Sequence, residues 1–595
     1  MPSSYQVIIH DRAYSKWSFI SDEDGVVTDH PKINPISKKL FSKDIIMYDP
    51  TEEDFLSVIH SPVRNGNPIP GILILEDNKT YGRTHERTHE RTHERTHERT
   101  HERKPGKTYT KSSSKSRLLY KCIPNDSQLP AFLVPYEVQL GFSKTYINKY
   151  VLFKFNSWEE NHPQGILMET LGDVNVLDVY YEYQLHCKQV HSSITEFTNK
   201  TRDQIKGMND EIHTHIMNNP NFHIENRLFD KHIFTIDPAG SSDFDDAFSF
   251  TPAETTAMPT RLSIYIANVY VWLEKLGLWQ SFSDRISTIY LPDKKRTMLP
   301  TILSENFCSL KSGVQRFAFV MDIEIDASGK MTHTFKNVMI KVKQNYVYES
   351  DPLLANTHYK SLYKFTKTLN SEVKDSHDVV SYWMVHFNTE CAKYMAKNGI
   401  GIQRKTEKTV FLENSLLHFL SDTHLTGKYS LLDKSDVDSS TCPYMHITSP
   451  IRRLVDLLNQ ICIFISLQLV TTISPECFHF TSKWMTRIPE INEQMRNIRK
   501  VQNTCDLLYK CTNVPDVIQR KYTGVLLDKR QKQSNANDPV KSFIYNVYLE
   551  ELKLISKFKT YTEYNVGERY LFGLHVFHDE YKQKIRVQLL SEVTK

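Results

Sequence analysis

His232-Ile233-Phe234-Thr235-Ile236-Asp237-Pro238-Ala239-Gly240-Ser241-Ser242-Asp243-Phe244-Asp245-Asp246-Ala247-Phe248-Ser249-Phe250 places four carboxylates within ten positions, between two apolar runs that read as half-buried strand. Two like charges about 4 Å apart repel by roughly 4 kcal/mol at an effective dielectric of 20, so acids converging beside buried strands require protons or cations. Oxygen-only ligands, with no His or Cys between Asp237 and Asp246, suit Mg²⁺ or Mn²⁺ better than zinc. Taken alone, the pattern also fits a solvated acidic loop, because a bare Asp-x-Asp-Asp recurs by chance. In a regular strand Asp243 and Asp245 share a face and Asp246 points away. One site built from all four therefore requires the backbone to leave strand geometry by Asp246, through a bulge or a sharp turn.

The chain of 595 residues is too long for one core, and several domains are expected. Its 39% hydrophobic and 24% charged residues are those of an ordinary globular protein, and a net charge of +4 permits nucleic-acid binding without announcing it. Nine cysteines, with no Cys-x-x-Cys pair, argue for a reducing compartment and against a disulfide framework or structural zinc. Met1-Pro2-Ser3-Ser4-Tyr5 has no basic region followed by an apolar core, so no secretory signal is read. The uncharged run 457–475 is long enough to span a bilayer. Its Asn459, Gln460, Gln468, Thr471 and Thr472, continuing an amphipathic pattern from Ile451, favour a buried helix instead. A cytoplasmic, soluble, monomeric protein with no membrane partner is the expectation.

Ahead of the acidic stretch, residues 1–64 form a partly β segment that a first small barrel would take in. Residues 65–190 contain the strand-like runs 71–75, 118–123, 131–135 and 150–155, whose spacing predicts a small antiparallel barrel. Exposed rings and amines on such a barrel suit single-stranded nucleic acid. Within it lies a low-complexity insert, 83–117. Arg-Thr-His-Glu repeats five times over 83–102 without an apolar face, so the insert reads as an expanded surface loop. His85, His89, His93, His97 and His101 fall at i, i+4, but the repeat alone explains that spacing. Residues 103–117 add six basic residues and no acids, a segment that either stays solvated or touches a phosphate backbone. Residues 191–225 read as a helical connector, 226–512 as the domain of the acidic site, and 513–595 as a second barrel with the runs 522–527, 543–549, 570–576 and 585–589. Residues 535–539 are its evident loop.

A second anchor is Tyr444-Met445-His446-Ile447-Thr448-Ser449-Pro450-Ile451-Arg452-Arg453. Ser449-Pro450 reads as a helix start with both arginines in its first turns. Arginines beside free N–H groups make a phosphate site; the alternative is an arginine pair salt-bridged to a neighbouring acid such as Asp456.

Together, Thr235-Ile236-Asp237 with Asp243, Asp245 and Asp246, then Tyr290-Leu291-Pro292, Met298-Leu299-Pro300, Leu303-Ser304, Cys308-Ser309-Leu310, Val347-Tyr348-Glu349 and His446-x-Thr448-Ser449-Pro450-Ile451-Arg452-Arg453, resemble the RNB family of exoribonucleases. That family includes ribonuclease II, ribonuclease R and the catalytic subunit of the eukaryotic exosome. The resemblance implies an α+β multidomain fold, with small OB-type β-barrels, cold-shock-like and S1-like, flanking a large mixed α/β RNB nuclease domain. It looks closer to the eukaryotic branch, without an N-terminal endonuclease domain. It further implies a Mg²⁺-dependent, processive 3′→5′ exoribonuclease, with Mn²⁺ as a substitute ion, hydrolysing single-stranded RNA to nucleoside 5′-monophosphates. Asp237, Asp243 and Asp246 would hold one Mg²⁺, and Asp245 a second metal or the attacking water. Arg452 would meet the scissile phosphate. Tyr290 and Tyr348 would stack on RNA, and His446, Thr448 and Ser449 would line its path. Asp245 and Arg452 are the catalytic expectation.

Four positions depart from the family pattern: Asn268 stands for an Asp, Leu454 for a Tyr, Gln460-Ile461 for His-Arg, and Ser381-Tyr382 for an acidic pair. None removes a carboxylate of the cluster. They leave open an alternative, a catalytically weakened RNA-binding protein of the same fold.

Overall fold

Short amphipathic strands build the first part of the chain, because alternate residues bury their side chains and the rest stay wet. In this computed structural model the described residues are 3–22, 25–28, 33–49, 54–82, 117–138, 146–207, 211–229, 232–253, 259–406, 427–433, 443–532, 542–552, 554–579 and 582–592. The repeat insert, apart from Arg117, and the loop 535–539 lie outside them. Strands β1 (Ser3–Ile9), β2 (Trp17–Ser21), β3 (Val27–Thr28), β4 (Ile45–Asp49) and β5 (Asp54–His60) make a sheet of their own, ordered β3-β2-β1-β4-β5. Next, β6 (Ile69–Leu73), β7 (Leu118–Pro124), β8 (Phe132–Tyr136), β9 (Lys149–Ser157) and β10 (Gln164–Asp173) close into a barrel, β10-β8-β7-β6-β9. The parallel β10–β8 contact and antiparallel remainder give the Greek-key OB barrel.

Strand β10 bends around that barrel through three register shifts, and at Gly165 a Cβ would lie 2.7 Å from the Phe153 ring, so only glycine fits. The ends of the insert meet directly: Leu119 N donates to the Gly82 carbonyl at 3.0 Å and Tyr81 N to that of Leu119 at 2.9 Å. The barrel therefore closes without help from the residues between.

Three helices follow, α1 (Leu177–Cys187), α2 (Thr195–Lys206) and α3 (Ile212–Met217). The central sheet then uses β11 (Ile224–Asn226), β12 (Phe234–Asp237), β13 (Asp246–Thr251) and β14 (Thr260–Ala267). After α4 (Val269–Lys275) and the short pair β15 (Ile289–Tyr290) and β16 (Lys295–Arg296), it is completed by β17 (Gln315–Ile325), β18 (Met331–Lys341) and β19 (Gln344–Val347). Its order is β11-β18-β17-β14-β13-β12-β19.

Helices dominate next: α5 (Asp351–Ala355), α6 (Thr357–Leu369) and α7 (Ser376–Asn398). The β20 (Ile402–Thr406) and β21 (Gly427–Leu431) hairpin precedes α8 (Leu454–Ser466), α9 (Pro475–Thr486), α10 (Ile488–Asn513) and α11 (Pro515–Gln519). Helix α8 is buried on every side from Leu454 to Phe464, which explains its apolar run. No helix among the described residues is long and apolar enough to cross a membrane. The last five strands, β22 (Tyr522–Lys532), β23 (Ser542–Leu549), β24 (Leu554–Thr560), β25 (Arg569–Asp579) and β26 (Lys582–Glu592), follow the order β24-β23-β22-β25-β26.

The chain divides into two compact units, residues 1–188 with 576–584, and residues 189–575 with 585–595. In the first, Phe41 stacks on Phe132 at 5.8 Å and packs against Trp158 at 4.9 Å, in a core that also takes Val7, Ile9, Val134 and Phe153. The second contains the acidic cluster. The eight cysteines among the described residues are free thiols, seven of them buried.

Candidate active site

Strand β12 buries Phe234, Thr235 and Ile236 and runs parallel to β19, which brings Asp237 to the sheet's end opposite Val347. There the ladder stops. Ser241 N closes a turn on the Pro238 carbonyl, with Gly240 at φ +80, a conformation glycine adopts without strain. Ser309 then fastens the loop: its Oγ accepts from Phe244 N at 3.0 Å and donates to the Ser242 carbonyl at 2.9 Å. Ala267 N donates to the Asp245 carbonyl at 2.8 Å, and strand geometry resumes at Asp246. Residues 238–245 are thus a loop rather than a bulged strand. All four aspartates consequently line one cavity of about 820 Å³, with Tyr290, Lys295, Tyr348, Ser381, His446 and Arg452 also in its wall.

Electrostatics divides the four acids. Burial pushes the Asp237 carboxyl up to about 7, with Asp245 and Asp243 adding repulsion. Burial also carries Asp246 well above the ordinary carboxylate range, helped by Asp237 and Asp245. Each has an Oδ2 that is buried and meets no hydrogen-bond donor. Leaving such an oxygen unsatisfied costs about 1–3 kcal/mol or more for a charged group. Asp245 is better served. Its Oδ1 accepts from Ile451 N and its Oδ2 from Arg452 Nε, both at 3.0 Å, and burial outweighs these bonds to raise it to about 6. Asp243 is turned to Lys295, whose Nζ lies 2.9 Å from its Oδ1. Burial opposes the Lys295 charge, but bonds to Asp243 and Glu305 outweigh it and raise its pKa. No three of the aspartates bring a carboxylate oxygen each within 4.8 Å of one another. Hard, orphaned oxygens on Asp237 and Asp246 nevertheless fit a divalent cation, which would replace the protons their burial demands.

The arginine anchor differs from its expected form. Helix α8 begins at Leu454, so Arg452 lies in the preceding turn and Arg453 is the N-cap residue, extended at φ −137 and ψ 125. The cause is a competing ladder: Arg453 bridges Ser287, Leu454 N donates to the Ile286 carbonyl, and Thr288 N donates to that of Arg452. Pinned this way, the two arginines separate. Arg453 Nη2 donates to buried Asp456 at 2.9 Å, while Arg452 reaches Asp245 and donates from Nη2 to Ser449 Oγ at 3.0 Å. The salt-bridge reading thus holds for Arg453 with Asp456, whereas Arg452 pairs with Asp245 instead.

His446, Thr448 and Ser449 reach the cavity wall with much of their bonding capacity committed. Arg404 Nη1 donates to His446 Nε2 at 3.0 Å, which places the ring proton on Nδ1, facing Tyr429 Oη at 2.8 Å. Burial, with Arg453, Arg404 and Arg452 around it, holds the His446 pKa well below its ordinary value. Asn388 donates to Thr448 Oγ1 at 3.4 Å, and Ser449 N donates to Asp456 Oδ1 at 2.8 Å.

Three tyrosines, Tyr290, Tyr348 and Tyr444, line the cavity. Tyr290 is 45% exposed, and burial against the wall still pushes its phenol up to about 12. Tyr348 stacks on His377 with centroids 3.7 Å apart and planes 9° from parallel, and its N–H donates to the Asp237 carbonyl at 3.1 Å. Glu349 exchanges hydrogen bonds with Ser376 and so docks the start of α7, which carries His377.

The departures from the family pattern are mostly structural. Asn268 caps α4 by accepting from Val271 N at 3.1 Å. Gln460 Oε1 accepts from Val269 N and Tyr270 N, and its Nε2 donates to the Ala267 carbonyl at 2.9 Å. Only Ser381 stands in the cavity wall. The sequence reading gave no role to Lys295, Asn388 or His377, nor to Tyr444 within the second anchor. For Lys295 the available signal was the basic run Lys294-Lys295-Arg296 between two quoted motifs.

Comparison with known proteins fits this picture. The RNB domain model matches residues 225–361. Ribonuclease R of Chlamydia muridarum is 28% identical over 224 residues, 36% of this chain and 31% of that protein. DIS3-like exonuclease 2 of Schizosaccharomyces pombe is 29% identical over 170 residues, 28% of this chain and 17% of its own, and the human exosome complex exonuclease RRP44 is 24% identical over 253, 40% and 24% respectively. The matched stretches thus span less than a third of these curated relatives. Among solved structures, the apo form of Mycoplasma genitalium RNase R superposes with a TM-score of 0.63 at 14% identity, covering 98% of this chain and 99% of that one. Yeast Ssd1, a pseudonuclease, gives 0.51 at 12% identity, covering 96% and 80%. At such identities the structures establish the fold, a mixed α+β multidomain architecture with OB-type barrels. The chain thus contains an RNB domain, and over the matched stretches it is similar to ribonucleases that carry one.

Proposed function

We propose that the chain is a Mg²⁺-dependent, processive 3′→5′ exoribonuclease that acts inside the cell, as a monomer, on single-stranded RNA and releases nucleoside 5′-monophosphates. The observation that carries this reading is the pairing, in one cavity, of two orphaned buried carboxylate oxygens on Asp237 and Asp246 with an Asp245–Arg452 ion pair. Asp237 and Asp246 are the residues that would hold the ion. When bound, a divalent ion supplies an acidified water and neutralises charge on the phosphate. Asp245 accepts a hydrogen bond from Arg452 and fixes the guanidinium plane, so that Nη1 remains for a phosphate oxygen whose charge grows in the transition state. Tyr290 and Tyr348 offer flat faces to bases without reading their edges, which suits sequence-tolerant degradation. Stacking on His377 stiffens Tyr348, and its backbone bond to Asp237 sets the distance from the terminal base to the acids. Ribonuclease R of Mycoplasma genitalium, which shares the fold, has been solved with ribose methylated single-stranded RNA.

A 5′-labelled single-stranded RNA incubated with Mg²⁺ is expected to shorten from its 3′ end with release of mononucleotides. Equal cleavage in excess chelator would overturn the metal dependence.

A second reading, an RNA-binding protein with weakened catalysis, is favoured by Lys295 holding Asp243 and by the shared fold of the pseudonuclease Ssd1. It predicts salt-dependent RNA binding without mononucleotide release.

A further inference from the structure

We propose that the cavity takes one divalent cation, because the ammonium group of Lys295 occupies the place of a second; this rests on the nuclease reading above. Lys295 Nζ lies 2.9 Å from Asp243 Oδ1 and 2.9 Å from Glu305 Oε1, and donates to Ser242 Oγ at 2.7 Å. An ammonium has three N–H donors, and these three acceptors use them all.

Two carboxylates from separate elements converging on one point are what a second hard cation would require. Asp243 comes from the acidic loop and Glu305 from the turn Leu303–Phe307, and the group between them is the lysine. Its position is set locally. Lys295 lies in β16, opposite Tyr290 of β15, and its neighbour Arg296 is anchored on Asp293 Oδ1 and the Lys294 carbonyl. Lys295 is 27% exposed and Asp243 10%, so solvent screens the pair weakly. Lysine suits the role because its ammonium is a compact point charge, as a metal ion is, whereas an arginine fork would spread across the cavity. The unmet oxygens of the acids lining this cavity lie instead on Asp237 and Asp246, which mark where the single divalent ion binds. Lys295 is therefore a positioning residue: it holds Asp243 and Glu305 in a neutralised cluster and acts on the reaction through them.

Mn²⁺ titration of the full chain, read by the electron paramagnetic resonance of free Mn²⁺ and by calorimetry, tests the assignment. Wild type is expected to take up one Mn²⁺ per chain. Lys295→Met, which releases Asp243 and Glu305, is expected to take up two, and Lys295→Arg, which keeps a cation there, one. In cleavage assays, the rate should rise with Mn²⁺ as a single-site curve for wild type and with positive cooperativity for Lys295→Met. Two ions in wild type, or one in a folded Lys295→Met, would overturn the proposal. Should Lys295→Met fail to fold, Glu305→Gln decides: uptake of one ion with unchanged affinity supports it, and a loss of affinity of about tenfold or more overturns it. The nuclease reading fails separately, if Asp246→Asn binds Mn²⁺ as wild type does and wild type leaves RNA uncut. Two ions in a wild type that cuts RNA would remove only the role of Lys295.

Discussion

Asp44 and Asp246 both have buried carboxylate oxygens, and they differ in their donors. Asp44 accepts from Ser61 Oγ at 2.5 Å, Phe41 N at 2.8 Å and Arg64 Nη1 at 2.6 Å, while the Arg64 guanidinium lies over the Phe41 and Phe155 rings. Asp246 keeps an Oδ2 that no donor meets. Burial raises both pKa values, but at Asp44 three hydrogen bonds and a guanidinium pull the other way. Folding alone satisfies the first acid. The second is satisfied only when something else arrives, and this contrast separates a carboxylate that holds a fold from one that waits for a ligand.

The largest expected effect bears on Asp245, the acid beside the waiting one. Asp245→Asn breaks the ion pair that orients Arg452, and is expected to lower cleavage of end-labelled RNA by about 10³-fold, on the scale of lost transition-state electrostatics. RNA retention in a filter assay should stay near wild type. Undiminished cleavage would place the chemistry elsewhere.

Next come substitutions with opposite signs. Asp44→Ala strands the Arg64 charge and should destabilise the fold by about 3–5 kcal/mol. Asp246→Asn removes a carboxyl whose Oδ2 meets no donor, and should leave the metal-free melting temperature at pH 8 unchanged or raised. Loss of stability in both would erase the distinction.

A smaller effect concerns pH. The folded-state values of Asp237, about 7, and Asp245, about 6, lie above the ordinary 3.8. Groups raised in this way contribute stability that is full below about pH 4 and is lost as pH climbs through 6 to 7. Metal-free protein should therefore melt progressively lower from pH 5 to pH 8. Added Mg²⁺, which replaces the protons, should recover more at pH 8 than at pH 5.5 in a thermal melt with and without chelator. An equal recovery at both would mean that the acids are charged without metal. The smallest effect should follow deletion of residues 83–116. Gly82 and Leu119 already meet, so both carboxylate settings and the cleavage rate should be preserved, as melting and RNA assays would reveal.

Strong periodicity and spacing made much of this architecture legible. The apolar runs beside the acids became β12 and β13, the runs of 65–190 became strands of a closed barrel, and those after 513 became strands of a five-stranded sheet. Strand β10 was missed because its three register shifts break the alternation that marks a strand, and β24 because its burial rests mainly on Phe558. The helix start at Ser449-Pro450 was misplaced for a tertiary reason: proline favours a first turn, but the strand-like segment at Ser287 captured Arg453 first. In the site, the four aspartates and Arg452 could be read from motif spacing. His377 could not, since what matters about it is a neighbour distant in sequence, and Lys295 was signalled only by its basic run.

Gln460 links these parts mechanically. It clasps the end of β14 and the start of α4, while Ala267, the residue whose carbonyl it binds, holds the Asp245 backbone. The helix that carries Gln460 begins one residue after the arginine pair. Acid and arginine are thus hung from a single clasp, and local unfolding should release them together. In native-state hydrogen exchange, the amides of Ala267, Val269 and Ile451 would then share one opening free energy, so the chemistry is lost as a unit and not group by group.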